Sequence, residues 1–227
     1  MSVEPADTWI FGYGSLMWNP GFPFAEARPA RLTGYHRAFC IYSIHYRGSQ
    51  RQPGLVLGLD RGGVCDGIAF RVSPERQQEA LAYLRRRELI YGVYREVLVP
   101  VDVARDQGQA PATVWALTYI AERAHPAYSG CLPLTREAQL IRRSAGRGGT
   151  NLDYFLSTLR HLRELGIKEP RLDRLLTVMG ALAARGASTP GGGASPTSAL
   201  TRAWSSRGIA TPRTVRDNRF GYRAKRG

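Results

Sequence analysis

The sequence predicts an α+β fold in which a small, mixed, barrel-like β-sheet is flanked by helices. Strand-like segments rich in aromatic and β-branched residues dominate residues 9–120, and helical patterns dominate residues 135–184. Because strands and helices do not alternate along most of the chain, a wholly parallel sheet built from β-α-β units is disfavoured. The length of 227 residues is enough for one compact domain and an appendage.

The strands are predicted from their residue types. The first strand, residues 9–11, leads into a glycine-hinged loop over residues 12–17. Further strands are expected at about 35–46, 55–59, 66–72, 93–101 and 112–120.

The helices are predicted from caps and apolar periodicity. An early helix has Ser73 as its N-cap and Pro74 at its first position, and it runs to about Arg87. Later helices are expected at about 135–145, 151–165 and 171–184. For the second of these, Thr150 supplies capping chemistry and Gly166 supplies the stop.

The composition changes after Arg185. Residues 186–200 are all Gly, Ala, Ser, Thr or Pro except Leu200, which is a flexible linker composition. Residues 186–227 contain seven arginines, one lysine and one aspartate, a net charge of +7 out of +14 for the whole chain. We therefore predict a folded domain over residues 1–185, followed by a linker and a basic, disordered tail over residues 186–227.

The basic tail has two interpretations. Its cationic side chains, interleaved with Trp204, Phe220 and Tyr222, favour binding of nucleic acid or another polyanion through residues 202–227. The alternative is a solubilising extension without a partner.

The chain is expected to be a soluble cytoplasmic protein. Its first residues are acidic where a signal peptide is basic, and no apolar run approaches the roughly 18 residues of a membrane span. Cys40, Cys65 and Cys131 are odd in number and widely spaced, so they are interpreted as buried, reduced residues and not as a disulfide framework. The sequence leaves the oligomeric state open.

The glycine loop does not fit two common motifs. A dinucleotide fingerprint requires a third glycine where Met17 stands, and a nucleophile elbow requires a different glycine spacing around Ser15. Two glycines after a strand also allow backbone N–H groups to converge on an anion, so a tight turn and an anion-binding nest both stay open.

The spacing of the four histidines does not support a metal site. They are never three or four residues apart, and no carboxylate cluster accompanies them: His36, His45, His125 and His161. No metal is therefore expected.

Glu88 is the candidate acid or base. It follows three arginines at the end of the early helix, which favour its charged form, whereas the negative helix end disfavours that form. The residue types alone leave a surface salt bridge open as the alternative.

Several blocks in order along residues 9–180 resemble the ChaC family of γ-glutamylcyclotransferases. The blocks are IFGYGSLMW (10–18), LTGYHR (32–37), RGS (47–49), PGL (53–55), YL (83–84), RE (87–88), GVY (92–94), HPAYSG (125–130) and GGTNLDY (148–154). Because nine blocks agree in order, this resemblance is far more specific than the glycine loop alone.

The resemblance implies a γ-glutamylcyclotransferase-like small mixed β-barrel with flanking helices. It also implies cleavage of glutathione to 5-oxoproline and L-cysteinylglycine without a cofactor or metal. Glu88 is then the catalytic acid and base, and Tyr128 matches a family tyrosine near the site. The loop that would bind the γ-glutamyl group consists of Gly12, Tyr13, Gly14, Ser15, Leu16 and Met17. Arg47 is a candidate partner for the glycyl carboxylate of glutathione.

Three alternatives remain open on the sequence. The nearest is the same chemistry on other γ-glutamyl amino acids or amines. The second is a nucleic-acid-binding protein that acts through its basic tail. The third is an inactive interaction scaffold. The presence of both Glu88 and the glycine loop disfavours the scaffold.

Overall fold

A computed structural model describes residues 7–89, 91–106 and 109–186. The chain divides into two compact units, residues 1–176 and residues 177–227. All elements that form the site belong to the first unit. Of the second unit the structure describes residues 177–186, so the predicted linker and tail lie, beyond Gly186, outside the described residues.

A closed five-stranded barrel forms the centre of the first unit. Its strands follow the order β1-β3-β2-β4-β5, and β5 returns parallel to β1, whereas the other neighbouring pairs are antiparallel. The strands are β1 (Thr8–Gly12), β2 (Glu26–Ser43), β3 (Gly54–Val72), β4 (Tyr94–Val103) and β5 (Ala112–Ala121). Closure pairs the strand edges with one another, and the mixed barrel with helices confirms the predicted α+β class.

The predicted helices are all present within the described residues. They are α1 (Pro74–Glu88), α2 (Leu134–Arg143), α3 (Asn151–Glu164) and α4 (Pro170–Gly186). Between α2 and α3 lies a minute hairpin, β6 (Ala145–Gly146) and β7 (Gly149–Thr150). The sequence did not predict this hairpin, because strands of two residues have no alternating pattern to detect.

Two strands are much longer than predicted. The expected strands 55–59 and 66–72 are one strand, β3, because Gly62 and Gly63 adopt positive φ of 92° and 77°. Together with Gly34 opposite, these glycines form a β-bulge at which the register with β2 shifts, so the strand bends and continues where a turn was expected. Likewise β2 begins at Glu26 and not near residue 35. The prediction missed its first half because small apolar and charged residues alternate only weakly there.

The helices pack on the barrel through residues that the periodicity places on one face. In α1, Ala80 and Leu84 are fully buried. In α3, Phe155 packs on Phe39 of β2 with ring centroids 5.6 Å apart. The Thr150 side chain accepts a hydrogen bond from the Asp153 N–H at 3.0 Å, which confirms the predicted cap of α3.

The cysteine prediction was right for two residues and wrong for one. Cys40 and Cys65 are buried thiols, and burial raises their pKa values to about 12 and about 11. Cys131 is exposed, because it lies in the loop between Gly130 and α2 and not in a strand of the barrel.

Candidate active site

Glu88 is the last residue of α1, and its carboxyl lines a cleft beside the barrel. Only 18% of its side chain is exposed. Burial raises the pKa of the Glu88 carboxyl, and the neighbouring Arg87 guanidinium opposes that rise. A carboxyl with a raised pKa is a stronger proton acceptor than an ordinary glutamate, so the site is suited to acid–base chemistry.

The inner cleft, as we name it, is formed by Glu88, the glycine loop and side chains of the barrel and α3. It has about 380 Å³ of empty space, part of which is open to solvent. Its lining residues are Tyr13, Gly14, Ser15, Leu16, Leu57, Glu88, Tyr94, Tyr119 and Tyr154.

The glycine loop joins β1 to a short 3-10 helix, Ser15–Met17, and supplies four of the lining residues. Among the described residues, no acceptor bonds to the peptide N–H groups of Gly14, Ser15 and Leu16. Because these three donors are unpaired among the described residues, they are available to an anion.

The two ends of the loop do not line the cleft. Met17 is fully buried, and a Cβ on Gly12 would lie 3.1 Å from the Leu16 Cβ and 3.3 Å from the Phe70 ring. Gly12 therefore allows the close approach of β1 to the loop, and Met17 anchors the far end of the loop, whereas the substrate-binding role of both residues stays a prediction.

Arg37 holds the glycine loop from behind. Its side chain is fully buried and donates to the carbonyl of Tyr13 at 2.5 Å and to the carbonyl of Asp66 at 2.6 Å. The same guanidinium pairs with Glu169, which directly precedes α4. The loop is thus fixed to β2, to β3 and to the start of α4 by one side chain.

Four tyrosines surround the Glu88 carboxyl, and burial raises the pKa of each, so all four hydroxyls stay neutral donors at physiological pH: Tyr13, Tyr94, Tyr119 and Tyr154. Two of them are already engaged, because Tyr94 donates to the Leu57 carbonyl at 2.6 Å and Tyr119 donates to Glu96 at 3.0 Å. The Tyr13 hydroxyl has no hydrogen-bond partner among the described residues, so it remains a donor for a ligand.

Arg87 lies between the loop and Glu88. Its Nη2 donates to the Ser15 Oγ at 2.7 Å, and its Nε lies 3.1 Å from the Glu88 Oε1. Its Nη1 donates to the Asn19 carbonyl at 2.9 Å and to the Tyr83 hydroxyl at 3.1 Å. The hydroxyl of Ser15 therefore contacts an arginine of α1.

A wider outer cleft, as we name it, adjoins the inner one and has about 1530 Å³ of empty space. The two clefts share the residues Ser15, Glu88, Tyr94 and Tyr154. Arg47, Arg86 and Arg87 also line the outer cleft, and Glu88 is the sole acid among the described lining residues of both. This charge distribution favours an anionic ligand.

Arg47 is held in place at the outer cleft by the small hairpin. Its guanidinium donates to the carbonyl of Gly148 and, at 3.4 Å, to that of Thr150. It also lies over the Tyr154 ring, 5.1 Å from the centroid. The predicted substrate-binding arginine is thus brought beside the residues of the inner cleft.

Tyr128 lines neither cleft. Its hydroxyl donates to the Asp60 Oδ2 at 2.8 Å, and Arg123 binds the other carboxylate oxygen at 2.7 Å. The hydrogen bond directs the Tyr128 hydroxyl to a buried aspartate, and the role of Tyr128 in substrate binding stays a prediction.

The sequence reasoning missed Arg37, Arg87, Tyr94 and Tyr154 as site residues. All four lie within the sequence blocks quoted above, so a signal for them existed. Tyrosine and arginine are common on ordinary surfaces, and only their partners in space distinguish these four.

Two searches of the described residues bear on other kinds of site. No group of three or more His, Cys, Asp or Glu side chains there is placed to hold a metal ion. No described helix is both long enough and apolar enough to cross a membrane.

Comparison with known proteins gives consistent matches. Residues 8–182 match the family described as ChaC-like protein. The chain is 38% identical over 173 residues to the glutathione-specific γ-glutamylcyclotransferase of Escherichia coli K12, covering 76% of this chain and 73% of that protein. It is 36% identical over 185 residues to glutathione-specific γ-glutamylcyclotransferase 1 of Mus musculus, covering 79% and 81%.

A solved structure shares the fold. The crystal structure of a γ-glutamyl cyclotransferase specific to glutathione from yeast matches with a TM-score of 0.69 and 21% identity, covering 78% of this chain and 97% of that one. At this identity the match shows the fold alone. The family match spans most of the chain, and the Escherichia coli relative is 38% identical to it. Together they establish that this chain belongs to the ChaC-like family.

Proposed function

We propose that this protein degrades glutathione by cyclising its γ-glutamyl group, releasing 5-oxoproline and L-cysteinylglycine. Its relatives in Escherichia coli and mouse are named as glutathione-specific enzymes of this reaction. The single observation that supports the mechanism is the buried Glu88 carboxyl, which shares one small cleft with the unpaired N–H groups of the glycine loop.

The reaction needs no enzyme nucleophile. The α-amine of the glutamyl group attacks its own γ-carbonyl carbon, a C–N bond closes the five-membered lactam, and the amide C–N bond to cysteine breaks. The amine is mostly an ammonium ion at neutral pH, so it loses one proton before it attacks and a second as the lactam N–H forms. The departing amide nitrogen gains one proton as its C–N bond breaks, and the released amine takes up the second, so atoms and charge balance. A single group can carry the proton that passes directly from the attacking to the leaving nitrogen.

Glu88 is the group we assign to that transfer. It is the sole acid among the described lining residues, and its raised pKa makes it a competent base for an ammonium and then an acid for the leaving nitrogen. Because attacking and leaving nitrogens sit on the same carbonyl carbon, one carboxyl can reach both in turn.

The glycine loop supplies orientation and charge stabilisation in this proposal. The N–H groups of Gly14, Ser15 and Leu16 hold either the α-carboxylate or the oxyanion that develops on the γ-carbonyl, and the Tyr13 hydroxyl donates to the same region. Fixing the substrate in its curled conformer contributes further, since an intramolecular reaction depends on the reacting atoms being held close together.

The cysteinylglycine half then occupies the outer cleft. Three arginines line that cleft, and Arg47 is held there by two backbone carbonyls and the Tyr154 ring. We assign Arg47 to the glycyl carboxylate of glutathione, because an arginine fork binds a carboxylate through two hydrogen bonds.

We place the catalytic domain within residues 1–185, since the lining residues of both clefts fall between Tyr13 and Tyr154 and the family match ends at residue 182. We propose a cytoplasmic location, because the glutathione pool is the thiol buffer of the cytosol. Polyanion binding would depend on residues 202–227, which lie outside the described residues.

The test is to incubate the purified protein with glutathione and to quantify 5-oxoproline and L-cysteinylglycine. We expect equal amounts of both from the wild type. Glu88→Gln keeps the shape of the side chain but removes the base, so turnover should fall by at least about 10²-fold. Glu79→Gln is the matched control, because Glu79 is an exposed glutamate of the same helix that pairs with Arg76.

The wild-type assay tests the substrate, and the Glu88→Gln assay tests the role of Glu88. If the wild type forms no product from glutathione, the substrate assignment is wrong, and γ-glutamylalanine then tests the same chemistry on another γ-glutamyl compound. If the Glu88→Gln variant keeps most of its turnover while the wild type is active, the reaction stands and Glu88 is not its acid or base.

A further inference from the structure

Arg87 connects the two halves of the inner cleft, which the chain supplies from distant segments. Ser15 and Arg87 are 72 residues apart, yet their side chains lie 2.7 Å apart. Through its other nitrogens, Arg87 contacts the Asn19 carbonyl, the Tyr83 hydroxyl and the Glu88 carboxylate. One side chain therefore bonds to the substrate loop, to the segment after it and to the catalytic residue.

We propose that Arg87 is a positioning residue of the cyclisation, which fixes the distance between the glycine loop and the Glu88 carboxylate. The kinetic part of this inference rests on the function proposed above, and its structural part rests on the contacts alone. The Arg87 side chain is 22% exposed, and its hydrogen bonds to Ser15 and Tyr83 are partly buried, so solvent screens them less than contacts between exposed side chains.

The contact with Arg87 also gives the Ser15 hydroxyl a role. Its oxygen accepts from the Arg87 Nη2, so the hydroxyl acts as the attachment point of the loop. Ser15 then contributes to the reaction through Arg87 and through its own peptide N–H, and not as a nucleophile. Removing either partner should release the same attachment.

Lysine cannot replace arginine at this position without loss. Three guanidinium nitrogens of Arg87 reach four different partners, in the fixed planar geometry of the fork. A lysine has one nitrogen on a flexible stem, so it can preserve the positive charge near Glu88 but not all of these contacts. Arg87→Lys therefore separates charge from geometry.

Arg87 is the charged side chain that acts on the pKa of Glu88. Four tyrosines with raised pKa values face Glu88 from the loop, β4, β5 and α3, and they are Tyr13, Tyr94, Tyr119 and Tyr154. Arg47, Arg86, His45 and His125 also line the outer cleft with Glu88. Arg87 lowers the pKa of Glu88 against the effect of burial. Loss of its charge should therefore move the acid limb of the pH–rate profile to higher pH.

The experiment is a double-mutant cycle of Ser15→Ala and Arg87→Gln in the full chain, with Arg87→Lys as a charge-preserving variant. Arg76→Gln is the matched control, since Arg76 is an exposed arginine of the same helix. The readouts are kcat and KM for glutathione, the pH–rate profile, the free energy of unfolding in denaturant, and titration of the Glu88 carboxyl by carbon-13 NMR without substrate.

We expect Arg87→Gln to lower kcat/KM by about 10²-fold, the size of effect that a displacement of about 1 Å produces. In the Arg87→Gln background, Ser15→Ala should lower kcat/KM little further, because both substitutions break the same hydrogen bond. The acid limb and the Glu88 titration should move to higher pH in Arg87→Gln and stay in place in Arg87→Lys. Arg87→Lys should nevertheless lose part of kcat/KM.

The proposal is overturned if Arg87→Gln stays within threefold of the wild-type kcat/KM, if the effects of the two changes multiply, or if the Glu88 titration does not move. Should Arg87→Gln fail to fold, Arg87→Lys takes its place in the cycle. If the wild type does not turn over glutathione, the proposed function fails. In that case the unfolding and NMR arms still decide whether Arg87 couples Ser15 to Glu88.

Discussion

Arg37 offers a direct test of how the glycine loop is held. Arg37→Met removes the fully buried guanidinium that donates to the Tyr13 and Asp66 carbonyls and pairs with Glu169, whose side chain is 17% exposed. The variant leaves a largely buried carboxylate and two carbonyls without that donor. Breaking a buried ion pair on one side costs about 3–5 kcal/mol, and we expect a loss of free energy of unfolding in that range.

The loss should depend on pH with a defined sign. Burial raises the pKa of Glu169, and the Arg37 guanidinium opposes that rise. Without Arg37 the pKa of Glu169 rises further, so the folded state holds its proton more tightly than the unfolded state does. A group of this kind loses its stabilising contribution as the pH rises through its folded pKa, so Arg37→Met should cost more near pH 8 than near pH 5.

The assay is urea unfolding of the wild type and Arg37→Met near both pH values. Arg163→Met is the control, because Arg163 and Asp173 form an exposed ion pair, with 51% of each side chain accessible, and such pairs contribute about 0–1 kcal/mol. A loss below about 1 kcal/mol for Arg37→Met, or a greater loss at the lower pH, would refute the assignment of Arg37 as a buried support of the loop. A fall in kcat/KM should accompany the loss, since the Tyr13 carbonyl is no longer held.

Three further predictions follow from the site and its surroundings. Tyr13→Phe should lower kcat for glutathione by about 10²-fold without reducing the unfolding midpoint, because the hydroxyl has no partner among the described residues; an unchanged kcat would exclude it as a donor. Asn151→Ala should lower the free energy of unfolding by about 1–3 kcal/mol, since its amide bonds both the N–H and the carbonyl of Leu55 at 2.6 and 2.7 Å; urea unfolding checks this value. A chain that ends at Gly186 should keep its turnover of glutathione in the product assay, and loss of turnover would make the basic tail part of the enzyme.

The helices could be predicted because their signals are local. Pro74 at the start of α1 and Thr150 at the start of α3 act on their own first turns, and apolar spacing reports the buried face directly. The length of the strands was harder to predict from the sequence, because a β-bulge at Gly62 and Gly63 has the same composition as a turn. The choice between the two is made by pairing with β2, which no local window contains.

The chemistry of the site was predictable at Glu88 and only partly beyond it. Arg37 lies in a strand pattern where arginine usually faces solvent, and its partner Glu169 is 132 residues away. Arg87 is likewise one of three successive arginines at the end of α1, and its hydrogen bond to Ser15 joins residues 72 positions apart, which no local pattern indicates. For Tyr128, the sequence showed a match to a family tyrosine but no sign that its hydroxyl donates a hydrogen bond to Asp60.

The proposed use of one carboxyl for both proton transfers gives a physical reason for the position of Glu88. If burial and the helix end acted unopposed, Glu88 would hold its proton and could not accept another from the substrate ammonium. If the carboxylate were fully exposed, it would be too weak a base to take that proton. In the proposed mechanism, Arg87 is bonded to Ser15 of the loop, lies 3.1 Å from the Glu88 carboxylate and opposes the rise that burial causes in the pKa of Glu88. The same arginine would therefore determine both the basicity of the proposed acid–base group and its distance from the loop, so these two properties could not be varied independently at this position.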